Sequence, residues 1–290
     1  MFRKISIFLQ MIKFEHSVFA LPFAFMGALL GSVAIHNELP SWAQIGWVLM
    51  AMIGARSAAM GLNRLIDRVS DGKNPRTAGR AIPAGLLKIG EVVLFIIISF
   101  ALLFWAAAEL NPLAMKLLPV AVFMLVLYSY TKRFTWLCHI VLGITIALAP
   151  LGGWVAVAGK VDAAAMVLFV TNIFWVAGFD IIYSCQDVEF DKKEGLYSIP
   201  VRFGVAKSLR IAKVFHILTA LGYVAILLMT DLGWWYIAGM LISYLILFYE
   251  HYIVSPNDLS RLQTAFFTMN GVLSIVVFSF TLIDLVVRHY

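Results

Sequence analysis

Asn63, Asp67 and Asp71 are spaced four residues apart in the run Asn63-Arg64-Leu65-Ile66-Asp67-Arg68-Val69-Ser70-Asp71. In a helix that interval returns to one face, so the three oxygen-bearing side chains form a stripe. Hard divalent cations take oxygen ligands, and magnesium characteristically accepts one or two protein carboxylates while phosphate oxygens and water complete its shell. The spacing therefore suits a metal-diphosphate site. A second run, from Asp180 to Asp191, sets Asp180, Asp187 and Asp191 at offsets of seven and four, again predicting one side of a helix.

Cations lie within and after each acidic run. Arg68, Lys73, Arg76 and Arg80 accompany the first, and Lys192, Lys193 and Arg202 the second. Guanidinium groups bind phosphate oxygens in pairs, and lysine supplies a compact point charge. Carboxylates would hold the metal and these cations the diphosphate. Between the two runs, Tyr128 and Lys132 are four residues apart. Both side chains could reach a phosphate, or they could form an interfacial aromatic with a snorkelling lysine.

The elements that must position these groups are membrane helices. Of 290 residues, 62% are hydrophobic and 13% charged, with the apolar residues in long blocks, which excludes a soluble fold. Blocks of about 20 apolar residues match the hydrocarbon thickness of a bilayer. Nine spans are predicted, centred near Gly27, Met50, Ile98, Val122, Ala147, Phe174, Leu221, Leu241 and Val276. The expected fold is an all-α polytopic bundle, and with no Pro/Gly/Ser-rich linker residues 1–290 read as a single membrane-embedded domain.

With the N-terminus in the cytoplasm, 18 of the 22 Lys and Arg residues fall on the cytoplasmic side, leaving Lys116, Lys160 and Arg288 opposite and Arg56 within the second span. Cytoplasmic loops carry such an excess, so the C-terminus is expected on the far side. The net charge of +6 thus reflects topology and phosphate chemistry, not nucleic-acid binding. The first span lacks an A-x-A-like cleavage site and reads as a retained helix. Cys138 and Cys185 have no metal-type spacing and read as free, buried thiols. The second and sixth spans each end in an acidic cluster followed by a basic loop, the pattern of a parallel duplication of a four-helix unit.

Carboxylates at a membrane edge are costly and face a cavity, an ion or a partner. Two such clusters imply a shared acidic cavity; pairing with neighbouring Arg and Lys is the plainer alternative. Intramembrane acids also mark transport pathways, but here they gather where helices reach the cytoplasm, beside phosphate-suited cations, which favours an enzyme.

On these residues the chain resembles the UbiA superfamily of intramembrane aromatic prenyltransferases over nearly its full length. The run Asn63 to Asp71, followed by Pro75-Arg76-Thr77-Ala78-Gly79-Arg80 and Pro83, is similar to that family's first aspartate-rich signature and its loop. Asp180 to Gly195 resembles the second, and Tyr128 to Lys132 the tyrosine-lysine motif. The resemblance implies nine helices around a central cavity with a lateral opening to lipid, two magnesium ions, a polyprenyl diphosphate donor and an aromatic acceptor. It implies that Asn63, Asp67, Asp71, Asp187 and Asp191 serve the metals. Around Lys13 to His16, Ala55 to Met60 and Tyr130 to Thr135 the wording is most similar to 4-hydroxybenzoate polyprenyltransferase-like proteins, including those of futalosine-route menaquinone synthesis. Quinone biosynthesis at the inner membrane is the expected setting.

Given an aromatic acceptor, Asp180 could orient it, act as base for its phenol or ring proton, or make a structural hydrogen bond. Arg56, seven residues before Asn63 and two turns deeper, should face the cavity. Arg56 or Arg133 could pair with an acceptor carboxylate; for Arg56 a buried ion pair is the alternative. His16 reads as an interfacial residue.

Overall fold

A computed structural model describes residues 2–13 and 20–289, so His16 lies outside the described residues. Thirteen α-helices follow in order: α1 (Phe2–Met11), α2 (Leu21–His36), α3 (Trp42–Ile66), α4 (Arg68–Lys73), α5 (Ile89–Leu110), α6 (Pro112–Thr131), α7 (Cys138–Ala158), α8 (Ala163–Ser184), α9 (Val188–Lys193), α10 (Ile199–Phe203), α11 (Val205–Met229), α12 (Trp234–Tyr252) and α13 (Asn270–His289). A π-helical turn, Thr264–Met269, leads into α13, and no strand occurs among the described residues.

Among the described residues, seven helical stretches are long and apolar enough to cross a membrane: α3, α5, α6, α7, α8 with its continuation to Lys193, α11, and Thr264–Arg288. All nine expected centres fall inside helices, but α2 and α12 are not among these seven, so a count of nine crossings is not confirmed. The 16 residues of α2 span about 24 Å, short of a hydrocarbon core of about 30 Å. The 19 residues of α12 are diluted by four tyrosines and the Glu250-His251 pair.

Local signals set several helix starts. Ser41 and Gln44 form a capping box at α3, and the Asp162 carboxylate accepts from the Ala165 amide at α8. Asn111 caps α6 through the Ala114 amide, and its Nδ2 donates to the Val155 and Ala156 carbonyls near the end of α7. Packing between helices relies on small residues, as expected where lipid offers no hydrophobic drive to associate. A Cβ on Gly153 would lie 2.0 Å from the Ala24 carbonyl oxygen, and one on Gly27 2.0 Å from that of Pro150. The α2/α7 crossing therefore requires glycine at both positions. Outward faces carry exposed Ile97, Ile98, Phe123, Leu221, Leu245 and Phe248, apolar surface suited to lipid.

Away from the acidic clusters, buried Asp284 on α13 accepts backbone N–H groups from Gly233, Trp235 and Tyr236 at 2.7, 3.1 and 3.3 Å. A carboxylate at the start of α12 satisfies amides that have no partner within their own helix. Asp284→Ala should lower stability by roughly 2–4 kcal/mol, because three donors are orphaned together. The check is the thermal midpoint of the detergent-solubilised protein; an unchanged midpoint would show that these amides find other partners.

Candidate active site

Both acidic clusters straddle helix breaks, which corrects the expectation of continuous one-faced stripes. Helix α3 stops at Ile66, Asp67 occupies the joint at φ −88°, ψ 2°, and α4 begins at Arg68. Helix α8 stops at Ser184, a 3₁₀ turn runs over Cys185–Asp187, and Asp187 sits at φ −101°, ψ 3° before α9. Both joints lie near the sparsely populated bridge region, where many active-site residues sit. Helix α6 ends at Thr131, so Lys132 is likewise past the last turn that carries Tyr128.

The breaks let the carboxylates meet cations from distant segments. Arg76 grips Asp187 with both arms, Nε to Oδ1 at 3.0 Å and Nη2 to Oδ2 at 2.9 Å, while its Nη1 donates to the Tyr183 hydroxyl at 3.3 Å. Arg80 donates to both oxygens of Asp71 at 2.6 and 2.7 Å. Lys132 reaches Asp191 at 3.2 Å, and Arg133 reaches Asp67 at 3.3 Å and the Ile66 carbonyl at 3.0 Å. Asn63 donates to Asp67 at 2.8 Å. The ends of α3, α6 and α8 are thereby tied together at one end of the bundle.

Asn63, Asp67, Asp71, Asp180, Asp187 and Asp191 line a single polar hollow of about 190 Å³, together with Arg64, Arg76, Arg80, Lys132 and Arg133. This hollow adjoins a much larger, mostly apolar cavity of about 700 Å³ walled by α3, α5, α6 and α7, with Phe266 and Phe267 from the π turn. Asn63, Arg64, Arg76, Arg80, Tyr128, Asp180 and Tyr183 border both, so they mark the junction. Arg56 lines only the apolar cavity, where its Nη2 donates to the Lys13 carbonyl at 3.3 Å; Arg133 lines only the hollow. The two candidates for an acceptor carboxylate are thus in different spaces.

Five predicted diphosphate ligands are not brought in: Lys193 and Arg202 line neither space, Arg202 lying instead over the Trp136 and Phe203 rings, and Arg68, Lys73 and Lys192 have other partners. Arg68 turns back to the Leu65 carbonyl at 2.7 Å, Lys73 pairs with Glu194 at 2.8 Å, and Lys192 lies 3.7 Å from Glu189; none lines either space. Arg68 and Lys73 sit on the short helix α4 and Lys192 on α9, which turn them outward. Conversely, Arg64, Tyr183 and His139 were not anticipated. Arg64 is buried and donates to the Asn63 side chain at 3.2 Å and to the Met11 carbonyl at 3.4 Å. Its place inside the acidic run was the available signal, since an arginine amid apolar residues seldom faces lipid.

The hollow is lined by five carboxylates and five Arg or Lys side chains, so its formal charge is balanced. Burial, and next the Asp71 charge, push the Asp67 carboxyl above its ordinary value, with Arg133 opposing. Burial disfavours the Lys132 ammonium, yet the neighbouring acidic groups together, Asp191 foremost, outweigh it and hold the lysine above its ordinary range. No group of three or more His, Cys, Asp or Glu side chains converges as a ready metal cage among the described residues, because each of the four clustered carboxylates faces a cation. The donor set nonetheless fits magnesium: all oxygen, mostly carboxylate, on one hollow. Being neutral in sum, the hollow also needs added positive charge before it accepts a diphosphate.

A charged hollow sharing part of its wall with a larger, mostly apolar cavity inside a helical membrane bundle suits an intramembrane enzyme whose substrate joins an anionic head to a hydrocarbon tail. The model of the UbiA prenyltransferase family matches residues 20–272, and the chain belongs to that family. It is an enzyme of the prenyltransferase class and a multi-pass membrane protein, which sets aside the transport reading. A protein from Aromatoleum aromaticum named 4-hydroxybenzoate octaprenyltransferase is 32% identical over 250 residues, covering 83% of this chain and 80% of that one. The apo structure of a UbiA homolog from Aeropyrum pernix K1 superposes with a TM-score of 0.84 at 29% identity, covering 93% and 98% of the two chains. A UbiA homolog from Archaeoglobus fulgidus, solved bound to DMAPP and Mg2+, shares the fold with a TM-score of 0.76 at 21% identity, covering 97% and 99%.

Proposed function

We propose that the protein transfers a polyprenyl group from a polyprenyl diphosphate to an aromatic acceptor of the 4-hydroxybenzoate or dihydroxynaphthoate kind in quinone biosynthesis, releasing diphosphate. The observation that carries this reading is the junction itself: a polar hollow lined by both acidic clusters and cations beside them shares Asn63, Arg64, Arg76, Arg80, Tyr128, Asp180 and Tyr183 with the wall of the apolar cavity. The relatives named 4-hydroxybenzoate octaprenyltransferase and the DMAPP-bound and GPP-bound homologs support the acceptor class and the donor class respectively.

Asn63, Asp67, Asp71, Asp187 and Asp191 would hold magnesium. Bound there, it supplies positive charge to the oxygens of the departing diphosphate. Arg76, Arg80 and Lys132 exchange their carboxylate partners for diphosphate oxygens when the donor enters. The donor's allylic C–O bond breaks with its electron pair leaving on the diphosphate. Leu, Ala and Phe side chains of the apolar cavity keep water from the carbocation, which would otherwise become an alcohol. A ring carbon of the acceptor supplies the new C–C bond, and Asp180 at the junction orients the acceptor and takes its proton. Tyr128, also at the junction, flanks the reacting centre.

We assign Arg56 to the acceptor carboxylate, because it alone of the two candidates lines the apolar cavity. Arg56→Ala should raise the acceptor KM roughly 10-fold, the worth of a charge-assisted hydrogen bond, with little change in the donor KM. Unchanged acceptor kinetics would remove this role. The proposal includes a single membrane-embedded domain in the inner membrane, nine crossings, a cytoplasmic N-terminus and the C-terminus opposite.

The test is product identification. Purified protein is incubated with Mg2+, a labelled polyprenyl diphosphate and, separately, 4-hydroxybenzoate, 1,4-dihydroxy-6-naphthoate and 1,4-dihydroxy-2-naphthoate. One prenylated acceptor, identified by mass and formed only with Mg2+, is expected. Absence of product from all three would overturn the assigned acceptor class.

A further inference from the structure

His139 is the second residue of α7 and is 0% exposed, and it lines neither the polar hollow nor the apolar cavity. Its Nδ1 lies 2.7 Å from Oδ2 of Asp180, and its Nε2 lies 3.3 Å from the backbone nitrogen of Ile199. A backbone N–H can only donate, so Nε2 is the acceptor and the ring proton resides on Nδ1. The imidazole therefore donates a charge-assisted hydrogen bond to the Asp180 carboxylate. Three elements meet on this ring: α7 supplies it, α8 the carboxylate, and the first residue of α10 the orienting amide.

Asp180 borders both spaces, so its carboxylate stands where the charged head of one substrate and the apolar body of another come together. An aspartate has two rotatable side-chain bonds, and in a half-open junction an unheld carboxylate can turn toward any of the nearby cations. We propose that His139 is a positioning residue for the transfer: through a tautomer set by the Ile199 amide, it holds one oxygen of Asp180 and so fixes how that carboxylate meets the aromatic acceptor. This rests on the reading of the junction as the place of prenyl transfer. His139 touches no substrate; it acts through Asp180.

The experiment combines kinetics with a readout independent of turnover. His139→Leu should lower kcat by roughly 10- to 100-fold, the usual cost of losing a group that orients a reacting ligand, while donor affinity in the presence of Mg2+ stays within twofold. His139→Gln, which offers one donor and one acceptor, should recover most of that loss. His139→Leu added to Asp180→Asn should cost little beyond Asp180→Asn alone, since both remove one unit. A role confined to folding would lower donor affinity and thermal midpoint together, give no recovery with glutamine, and add fully to Asp180→Asn; that pattern overturns the proposal.

In protein labelled with 15N-histidine, the resonance lost in His139→Gln should be that of a neutral ring protonated at Nδ1, and it should shift in Asp180→Asn. A ring protonated at Nε2, or one indifferent to Asp180, overturns the proposal even if no acceptor in the panel is prenylated. Absence of product with the expected His139 signature would instead count against the assigned function alone.

Discussion

Asp187→Ala should abolish prenyl transfer, with a loss of at least ~10³-fold in kcat/KM, about 4 kcal/mol of transition-state stabilisation, while the protein still inserts and purifies as a membrane bundle. The reason lies in the geometry of its partner. Asp187 takes both arms of Arg76, which arrives from the loop after α4, so the carboxylate links the second acidic cluster to the first. Removing it deletes an oxygen donor from the hollow and leaves Arg76 without its principal anion. Asp187→Asn is the sharper comparison, because it keeps the volume and one oxygen but removes the charge. Asp67→Ala should behave alike, as Asp67 occupies the corresponding joint on α3. Assays against Mg2+ concentration, with monodispersity in detergent as the folding check, decide the matter. Full Mg2+-dependent turnover by either alanine variant would reject the metal assignment.

The second large effect belongs to Arg76. Arg76→Ala should lower kcat/KM for the donor by about 100-fold, and Arg76→Lys by about 10-fold, because lysine restores a point charge but not the paired geometry. One consequence runs the other way. In the structure Arg76 already occupies Asp187, so a divalent cation binding without diphosphate must displace it. Arg76→Ala should therefore bind Mn2+, used as a magnesium probe, more tightly in the absence of donor while binding the donor more weakly. Parallel weakening of both would mean that Arg76 shapes the hollow rather than exchanging partners on donor entry.

Much of this chemistry was legible along the chain because it depends on residue type and short spacing. The four-residue steps from Asn63 to Asp71 and from Asp187 to Asp191 marked both clusters, and all five of these side chains do line one hollow. The helical register used to derive that convergence was not kept. Asp67 and Asp187 sit at breaks, with a 3₁₀ turn inserted before α9, and local periodicity carries no warning of a bend that distant ion pairs stabilise.

The cations illustrate the same limit. Arg68, Arg76 and Arg80 read alike in sequence, yet Arg68 folds back on Leu65 while Arg76 and Arg80 reach carboxylates. Residues 74–88 must double back as a turn-rich loop for that to happen, and its path depends on what it packs against. Asn270 is a further case. It accepts from buried Trp175 at 2.8 Å and donates to Glu250 at 3.1 Å and to the Ala265 and Phe266 carbonyls at 3.1 and 3.2 Å. In this way it supports the π turn whose Phe266 stacks on Tyr183 at 4.0 Å, and no local pattern around Asn270 predicts it.

By itself the sequence determined the solvent and the kind of chemistry: long apolar blocks demand lipid, and oxygen ligands beside phosphate-binding cations demand a metal-assisted anionic substrate. Those are properties of composition and of neighbours a few residues apart. Only the tertiary structure decided which charges meet, because Arg76 and Asp187 are 111 positions apart and His139 and Asp180 are 41 apart. Pairs so distant are selected by helix packing and loop closure, whose energies depend on the whole bundle rather than on any segment of it.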